Sequence, residues 1–335
     1  MSKGGIIAET RGLEIGYRRK RVFTVMKNLS LQARRGELVA LIGRNGTGKS
    51  TLLRTLVGLQ PALAGEVMLD GRSLHDTGSS QLPRIVSFVS TEPVAVRNIR
   101  VRDVVSLGRF PYTNWIGAQT AADSMAVTAA LEATGISGLE ERSIDSISDG
   151  EKQRTLIARS LAQDTGLLVM DEPTAFLDLP SRYGIVSLLR RLTREKGKCV
   201  IYSTHDLDTA INEADRIWLM TGDGVSEGAP EDLMLTGSLA RAFESPLLSF
   251  SVNDGTFSFV RGRQNTIALE GRGKAAKLTT RALARCGYTI DPDAPSLISI
   301  CEKGPVTEWK VTDGTGERYY GSLYDLVTGL QDIDQ

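Results

Sequence analysis

Short apolar runs alternate with helical stretches over about the first three quarters of the chain. Nearly continuous apolar runs such as ELVALIG and GLLVMDE are typical of parallel strands that are covered on both faces. Runs of this kind predict strands at 38–42, 85–89, 167–171, 200–203 and 216–220. Helical spacing predicts helices at 49–59, 101–107, 122–133, 150–162, 181–192 and 207–214. The alternation indicates an α/β fold.

The pattern changes near residue 251. Segment 251–271 favours a hairpin with polar turns, and no chemical motif follows it. The remaining spacing predicts a helix, two strands and a closing helix at 274–286, 297–301, 308–312 and 323–330. We therefore expect two domains, 6–250 and 251–335, of which the second is a small α+β domain.

Charge and cysteine content narrow the function classes. The chain has 40 Lys and Arg against 40 Asp and Glu, and this balance favours a protein that does not bind nucleic acid. No apolar run reaches the roughly 18–20 residues of a membrane span, so we expect any membrane role to come through a partner. Three scattered cysteines, Cys199, Cys286 and Cys301, provide neither a disulfide framework nor a CxxC metal site.

Residues 43–50, GRNGTGKS, match the phosphate-loop pattern G-x-x-x-x-G-K-[ST] between a predicted strand and a predicted helix. The glycines let backbone amides surround phosphate oxygens, and the positive helix N-terminus faces the same anion. We expect Lys49 to reach the outer phosphates of ATP and Ser50 to bind Mg²⁺. The alternative, a turn that binds nothing, gives the Lys-Ser pair no purpose. The predicted ATP-binding residues here are Gly43, Arg44, Asn45, Gly46, Thr47, Gly48, Lys49, Ser50 and Thr51.

Two acidic residues end the predicted strand at 167–171. Carboxylates at the carboxyl edge of a parallel sheet lie at its ligand side. Asp171 is predicted to hold Mg²⁺, and Glu172 to act as the general base that activates water. Alone, such a strand end is equally compatible with a solvated loop; the phosphate loop upstream favours the catalytic interpretation.

Residues 147–153, ISDGEKQ, open a predicted helix, and Ser148 with Glu151 forms a capping-box pattern. The segment resembles the LSGGQ signature of ABC transporter ATPases, in the LSDGE form of importers of iron complexes. Asp149 departs from this signature, because the family has glycine there. The resemblance implies a P-loop ABC ATPase fold, with a RecA-like core plus antiparallel β and helical subdomains. It also implies that Ser148, Gly150 and Glu151 contact the ATP held by the opposite subunit of a homodimer.

Four further positions follow the family's order. The resemblance gives Tyr17 a stacking contact with adenine, Asp178 a place in the loop that links the two sites, and His205 a contact with the γ-phosphate. Tyr17 is alternatively an ordinary half-buried tyrosine, and His205 a satisfied core histidine. Thr91 stands where the family has a glutamine that contacts Mg²⁺. The threonine hydroxyl can still bind Mg²⁺ or water, but its side chain is shorter than that of glutamine.

Segment 101–112, VRDVVSLGRFPY, resembles the permease-docking region of ATPases that serve importers of iron–siderophore complexes, haem and cobalamin. This implies an ATPase that works with a multi-span permease and, indirectly, with a periplasmic or lipoprotein substrate-binding protein. Its expected place is the cytoplasmic face of the inner membrane. The alternatives are a non-transport ABC ATPase of DNA repair or of the ribosome, and a transporter for another substrate. The chain has one phosphate loop and no long heptad run, which disfavours the non-transport types.

Overall fold

The computed structural model describes residues 4–18, 21–90, 98–113, 119–251, 255–259, 265–303 and 306–331. The chain forms two compact units, one made of Met1–Glu244 with Phe250–Phe257 and the other of Ser245–Ser249 with Ser258–Gln335. Each unit has its own hydrophobic core. No helix in the described part of the chain combines the length and the apolar character that a membrane span requires.

The secondary structure elements follow in chain order. The strands β1 to β18 are Ile6–Arg18, Val22–Leu29, Gln32–Arg34, Leu38–Gly43, Ala64–Leu69, Arg72–Ser73, Val86–Val89, Leu167–Met170, Cys199–Ser203, Arg216–Thr221, Gly224–Gly228, Leu248–Ser251, Thr256–Phe259, Asn265–Glu270, Tyr288–Ile290, Leu297–Lys303, Val306–Asp313 and Gly316–Tyr320. The helices α1 to α10 are Lys49–Leu56, Val101–Ser106, Ala121–Thr134, Asp149–Ala162, Leu179–Lys196, Leu207–Glu213, Pro230–Leu235, Ser238–Phe243, Gly273–Arg285 and Leu323–Gln331.

A six-stranded sheet with the order β11-β10-β4-β9-β8-β7 forms the centre of the first unit. Its strands are parallel except for β11, which pairs antiparallel with β10. The predicted α/β class is confirmed, and the five predicted strands agree with the structure to within one residue at each end. Predicted helix 49–59 ends earlier, at Leu56, because Gly58 adopts a left-handed conformation with φ of 74°. Predicted helix 181–192 is longer because Asp178 caps its start and Gly197 its end.

The two faces of this sheet carry different helices. Side chains alternate along a strand, so Leu38, Ala40 and Ile42 of β4 join one core and Val39 and Leu41 join the other. The first core includes the apolar residues of α4, and the second includes those of α1. The helices that follow the phosphate loop and the signature segment therefore pack on opposite faces of one sheet.

Two smaller parts complete the first unit. An antiparallel sheet has the order β2-β1-β5-β6, with β3 also paired to β1. Helices α2, α3 and α4 pack on one another as a helical part. These are the antiparallel β and helical parts that the resemblance implied, in addition to the parallel core.

The segment after α2 ties the helical part together. Nε of Arg109 donates to Asp123 Oδ1 at 2.8 Å, and its Nη1 donates to the Ala162 carbonyl at 2.8 Å. The guanidinium lies 3.9 Å from the centre of the Tyr112 ring, whose hydroxyl donates to the Gln163 carbonyl at 3.0 Å. Arg109 and Tyr112 thus satisfy carbonyl groups at the end of α4 that the helix itself leaves without partners.

The second unit contains a five-stranded sheet with the order β15-β14-β16-β17-β18. Helices α9 and α10 cover its apolar face, where Trp309 Nε1 donates to Thr279 Oγ1 at 2.8 Å. The predicted hairpin over 251–271 is only partly correct. Strands β12 and β13 pair with each other, but β14 pairs in parallel with β15 and β16. Parallel pairing with β15 is possible because α9 forms the crossover between the two strands.

Candidate active site

The phosphate-loop residues 43–50 connect β4 to α1 at the carboxyl edge of the central sheet. Gly43 has φ of 157°, and a Cβ atom there would lie 2.4 Å from the Met220 carbonyl oxygen. Gly48 has φ of 102°, and its Cβ would lie 2.4 Å from Val25 Cγ1. A side chain at either position would collide with its neighbour, so the loop requires glycine at both.

Lys49 is buried at the start of α1, with 7% of its surface exposed. Its Nζ atom donates to the carbonyl groups of Gly43 at 2.8 Å and Arg44 at 3.3 Å. Burial lowers the pKa of Lys49 below its ordinary value, and the negative charges of Glu172 and Asp171 partly oppose this shift. The loop lysine and the two strand-end carboxylates therefore belong to one electrostatic cluster.

Several other residues of the phosphate loop are more exposed to solvent than Lys49. Arg44, Asn45 and Gly46 are exposed, as is Ser50 in the first turn of α1. The Thr47 hydroxyl donates to the Arg44 carbonyl at 2.9 Å, which closes the loop on itself.

Tyr17 on β1 lies over the first turn of α1. Its hydroxyl shares a hydrogen bond of 2.8 Å with Oγ1 of Thr51, which is buried. The side chain is 41% exposed, so the tyrosine that the resemblance assigns to adenine is at the phosphate-loop helix and open to solvent.

Asp171 and Glu172 follow β8 directly. Asp171 is 4% exposed, and its Oδ1 accepts a hydrogen bond of 2.7 Å from the hydroxyl of Ser203. The same hydroxyl oxygen accepts the backbone N–H of Glu172 at 2.8 Å. Glu172 has φ of 47°, a left-handed conformation that is uncommon for a residue with a side chain and recurs at functional sites.

Ser203, the last residue of β9, is a contributor to this site that sequence reasoning missed. The signal was present: it lies two residues before His205, on a strand adjacent to the one that ends in Asp171 and Glu172. Adjacent parallel strands bring their carboxyl ends together, so a serine there faces the acidic pair.

His205 lies beside the acidic pair, with Nε2 2.5 Å from Glu172 Oε1. Both side chains are partly exposed and line a cavity of about 240 Å³ with Phe176 and Arg182. The structure thus brings together the phosphate loop, the two carboxylates and the histidine. The alternative of a buried core histidine is wrong, because 44% of the His205 side chain is exposed. His75, the other histidine, is almost fully exposed beside Asp76.

The signature segment begins α4 with the predicted capping box, which is confirmed. The Ser148 N–H and hydroxyl both donate to Glu151 Oε2 at 2.8 Å, and the Glu151 N–H donates back to Ser148 Oγ at 3.4 Å. These bonds lower the pKa of Glu151. A Cβ atom on Gly150 would lie 2.8 Å from Oγ of Ser181, so this glycine allows α4 and α5 to start side by side.

Asp178 caps α5 by accepting the Ser181 N–H at 3.0 Å, and this bonding with Ser181 lowers the pKa of the carboxyl. Phe176, in the same loop, has φ of 62° and is 97% exposed. The start of α5 therefore lies beside both the signature segment and the loop that leaves Glu172.

A single copy of the chain does not bring all the predicted ATP contacts together. Because α1 and α4 pack on opposite faces of the sheet, Ser148 and Gly150 belong to a different surface from the phosphate loop. Thr91, the remaining predicted Mg²⁺ contact, lies outside the described residues.

The donor chemistry of the cluster fits Mg²⁺. Ser50 supplies a hydroxyl and Asp171 a carboxylate, and Mg²⁺ prefers oxygen ligands in this combination with substrate phosphates. Within the described residues, no group of three His, Cys, Asp or Glu side chains could form a dedicated metal cage.

Two segments match known families. Residues 26–175 match the family described as ABC transporter, and residues 264–331 match one described as iron ABC transporter C-terminal domain. The second match assigns a family to the C-terminal segment, in which the sequence shows no chemical motif.

The chain is 38% identical to the achromobactin transport ATP-binding protein of Dickeya dadantii over 67% of this chain and 83% of that protein. It is 36% identical to the ferric enterobactin transport ATP-binding protein of Escherichia coli over 71% and 88% of the two chains. Similarity to the cobalamin import ATP-binding protein of Halobacterium salinarum extends further, at 31% identity over 88% of this chain and 73% of that protein.

Solved structures share the fold of about two thirds of this chain. The dimeric ABC transporter cassette MJ0796 has a TM-score of 0.59 and 25% identity, covering 67% of this chain and 99% of that chain. The cbiO1 protein from Clostridium perfringens, part of an ABC transporter complex, has a TM-score of 0.61 and 27% identity over 70% and 93% of the two chains. With its phosphate loop, acidic strand end and signature helix in one fold, the chain belongs to the ATP-binding proteins of ABC transporters, a family of ATPases.

Proposed function

We propose that this chain hydrolyses ATP to drive the import of an iron complex, a siderophore or haem, or of cobalamin, through a separate membrane permease. The observation that carries the catalytic part is the cluster of Lys49, Asp171, Glu172 and His205 at one edge of the sheet. The printed names of the relatives, which transport achromobactin, ferric enterobactin and cobalamin, support the substrate class.

Each residue of the cluster has a defined task in this proposal. Lys49 and the loop amides hold the phosphates, and Tyr17 stacks on the adenine. Glu172 accepts a proton from the attacking water, and His205 both orients Glu172 and contacts the γ-phosphate. Ser50 and Asp171 would hold Mg²⁺, with Thr91 as a further contact, and the ion supplies charge neutralisation of the phosphates when bound.

The complete site requires two copies of the chain. Ser148, Gly150 and Glu151 lie at the start of α4, which packs on the opposite face of the sheet from α1, the helix that follows the phosphate loop of the same chain. The positive end of a helix dipole favours an anion such as phosphate. A head-to-tail homodimer would place this helix start over the ATP of the other copy, with Asp178 between the sites. Loss of the γ-phosphate on hydrolysis would remove the bridge and open the dimer.

The permease contact is proposed for the segment around α2. Leu107 is 53% exposed and Phe110 is 76% exposed, whereas Arg109 between them is buried in internal contacts. Exposed apolar side chains on a rigidly held segment fit a protein docking site. We place the dimer on the cytoplasmic face of the inner membrane, in contact with the permease and only indirectly with a substrate-binding protein. Residues 6–250 would form the nucleotide-binding domain and 251–335 a separate small domain.

A pull-down tests the transport role. Tagged protein is recovered from detergent-solubilised membranes of its host and the partners are identified by mass spectrometry. We expect a multi-span permease with the wild type and much less of it with Phe110→Ser. Phe259→Ser is the matched control, because Phe259 is similarly exposed, at 74%, but lies on β13. Recovery of ribosomal or DNA-repair proteins without a permease would contradict the transport role but not the ATPase activity.

A further inference from the structure

Ser203 is a fully buried hydroxyl group between the two acidic residues of the site. Its exposure is 0%, and it makes two short hydrogen bonds: it donates to Asp171 Oδ1 at 2.7 Å and accepts the Glu172 N–H at 2.8 Å. A hydroxyl has one proton to donate, so the bond to Asp171 uses it completely. Water does not compete for these bonds, because the site of the hydroxyl is closed to solvent.

The position of Ser203 is set by the backbone of the central sheet. Strands β8 and β9 are parallel, and Met170 pairs with Tyr202, so the residues that follow them lie opposite each other. The next peptide is held as well, because the Thr204 N–H donates to the Leu41 carbonyl of β4 at 3.1 Å. The hydroxyl is therefore fixed relative to β4, the strand that leads into the phosphate loop.

The first consequence concerns the Asp171 carboxylate. Its Oδ1 is occupied by Ser203, while Oδ2 has no hydrogen-bond partner among the described residues. Without the serine, a carboxylate can rotate about its terminal bond. Ser203 thus selects which oxygen of Asp171 remains available to a cation or to the water molecules around it.

The second consequence concerns the Glu172 backbone. Its left-handed φ of 47° is uncommon for a residue with a side chain and needs support from its surroundings. The hydrogen bond from its N–H to Ser203 supplies such support at the strand end. The Glu172 side chain leaves this turn toward His205, so the same serine affects the direction of the proposed base.

We infer that Ser203 is a positioning residue, which orients Asp171 toward the Mg²⁺ of the bound nucleotide and holds Glu172 in its reactive conformation. The inference rests on the proposed function, because it assumes that Asp171 and Glu172 act on ATP. Partners that orient a metal ligand typically contribute 10- to 100-fold to metal affinity or activity, so about tenfold is expected here.

The test compares Ser203→Ala with Ser203→Thr in the full chain. The Ala variant should need about tenfold more Mg²⁺ for half-maximal ATPase activity and should bind Mn²⁺ about tenfold more weakly in the presence of ATP, measured by electron paramagnetic resonance. Its binding of a fluorescent ATP analogue in EDTA should match the wild type. The Thr variant keeps the hydroxyl and should restore most of the Mn²⁺ affinity.

Ser87→Ala is the matched control for lost stability. Ser87 is also buried on a strand of the central sheet, and its hydroxyl bonds to Ser160 at 2.6 Å and Thr165 at 3.0 Å. It should lower the Tm without changing the Mn²⁺ affinity. Wild-type Mn²⁺ affinity and Mg²⁺ dependence in Ser203→Ala would overturn the inference. A wild-type protein that neither binds nor hydrolyses ATP would instead contradict the proposed function.

Discussion

Nε2 of His205 lies 2.5 Å from Oε1 of Glu172, although the two residues are separated by a whole helix and strand in the chain. The contact joins the proposed general base to the residue assigned to the γ-phosphate. A base held in this way is pre-oriented before water attacks, which is a recognised contribution to general base catalysis.

Glu172→Gln should therefore lower steady-state ATP hydrolysis by at least about 100-fold, because the amide cannot accept the proton. ATP binding should persist, and the variant should accumulate as an ATP-bound dimer, detectable by size-exclusion chromatography. Glu195→Gln, at an exposed position near the end of α5, is the control and should behave like the wild type. A normal rate of ATP hydrolysis in Glu172→Gln would show that Glu172 is not the general base.

Two variants of Tyr17 distinguish the contribution of its ring to ATP affinity from that of its hydroxyl. Tyr17→Ala should raise the Kd for ATP by roughly an order of magnitude, since stacking of a base on an aromatic ring contributes about 1–3 kcal/mol. Tyr17→Phe keeps the ring and loses the hydroxyl that bonds to Thr51, so its Kd should stay near that of the wild type. Equal losses in both variants would assign the effect to the hydroxyl.

Asp123 is expected to make the stability of the folded protein sensitive to acid. Hydrogen bonds from the Thr120 backbone and side chain, and then from Arg109, lower the pKa of Asp123 from 3.8 to about 2. A carboxyl with a lower pKa in the folded state stabilises the protein above its unfolded pKa, and this contribution is lost as the pH falls from about 4 toward 2. Asp123→Asn should be less stable than the wild type at pH 7, and the difference should shrink over that window in acid-unfolding curves. A constant difference across the window would contradict the pKa shift.

Gly108 is predicted to be indispensable for packing in the helical part. A Cβ atom there would lie 2.1 Å from the carbonyl oxygen of Arg159 in α4, and backbone cannot move aside as a side chain can. Gly108→Ala should cost about 1–3 kcal/mol in the free energy of unfolding, measured by urea denaturation. Gly138→Ala is the control, because its Cβ would meet no atom within 4 Å. A Gly108→Ala variant as stable as this control would show that the segment is not tightly packed on α4.

Segment 101–112, the proposed permease-docking segment, contains both residues with internal contacts and residues that are exposed. Its resemblance pointed to permease contact, yet Gly108, Arg109 and Tyr112 make internal contacts with α3 and α4. Leu107 and Phe110 are its apolar side chains that remain well exposed. The sequence alone could not divide these roles, because the α-helical spacing over 101–107 gives no sign that the chain continues as a 3₁₀ helix over Leu107–Tyr112. The three-residue period of that helix places Leu107 and Phe110 on one face.

Elements whose signals are local could be predicted from the sequence. The phosphate loop, the acidic strand end and the capping box at Ser148 are each contiguous, and their chemistry depends on neighbours along the chain. Strand and helix periods likewise predicted the α/β class. How these elements contact one another depends on the three-dimensional fold. The Ser203 hydroxyl reaches Asp171 because two parallel strands share a register, and α1 and α4 separate because alternate side chains of one sheet point to opposite faces. Such relationships depend on strand order and packing, which no stretch of neighbouring residues encodes.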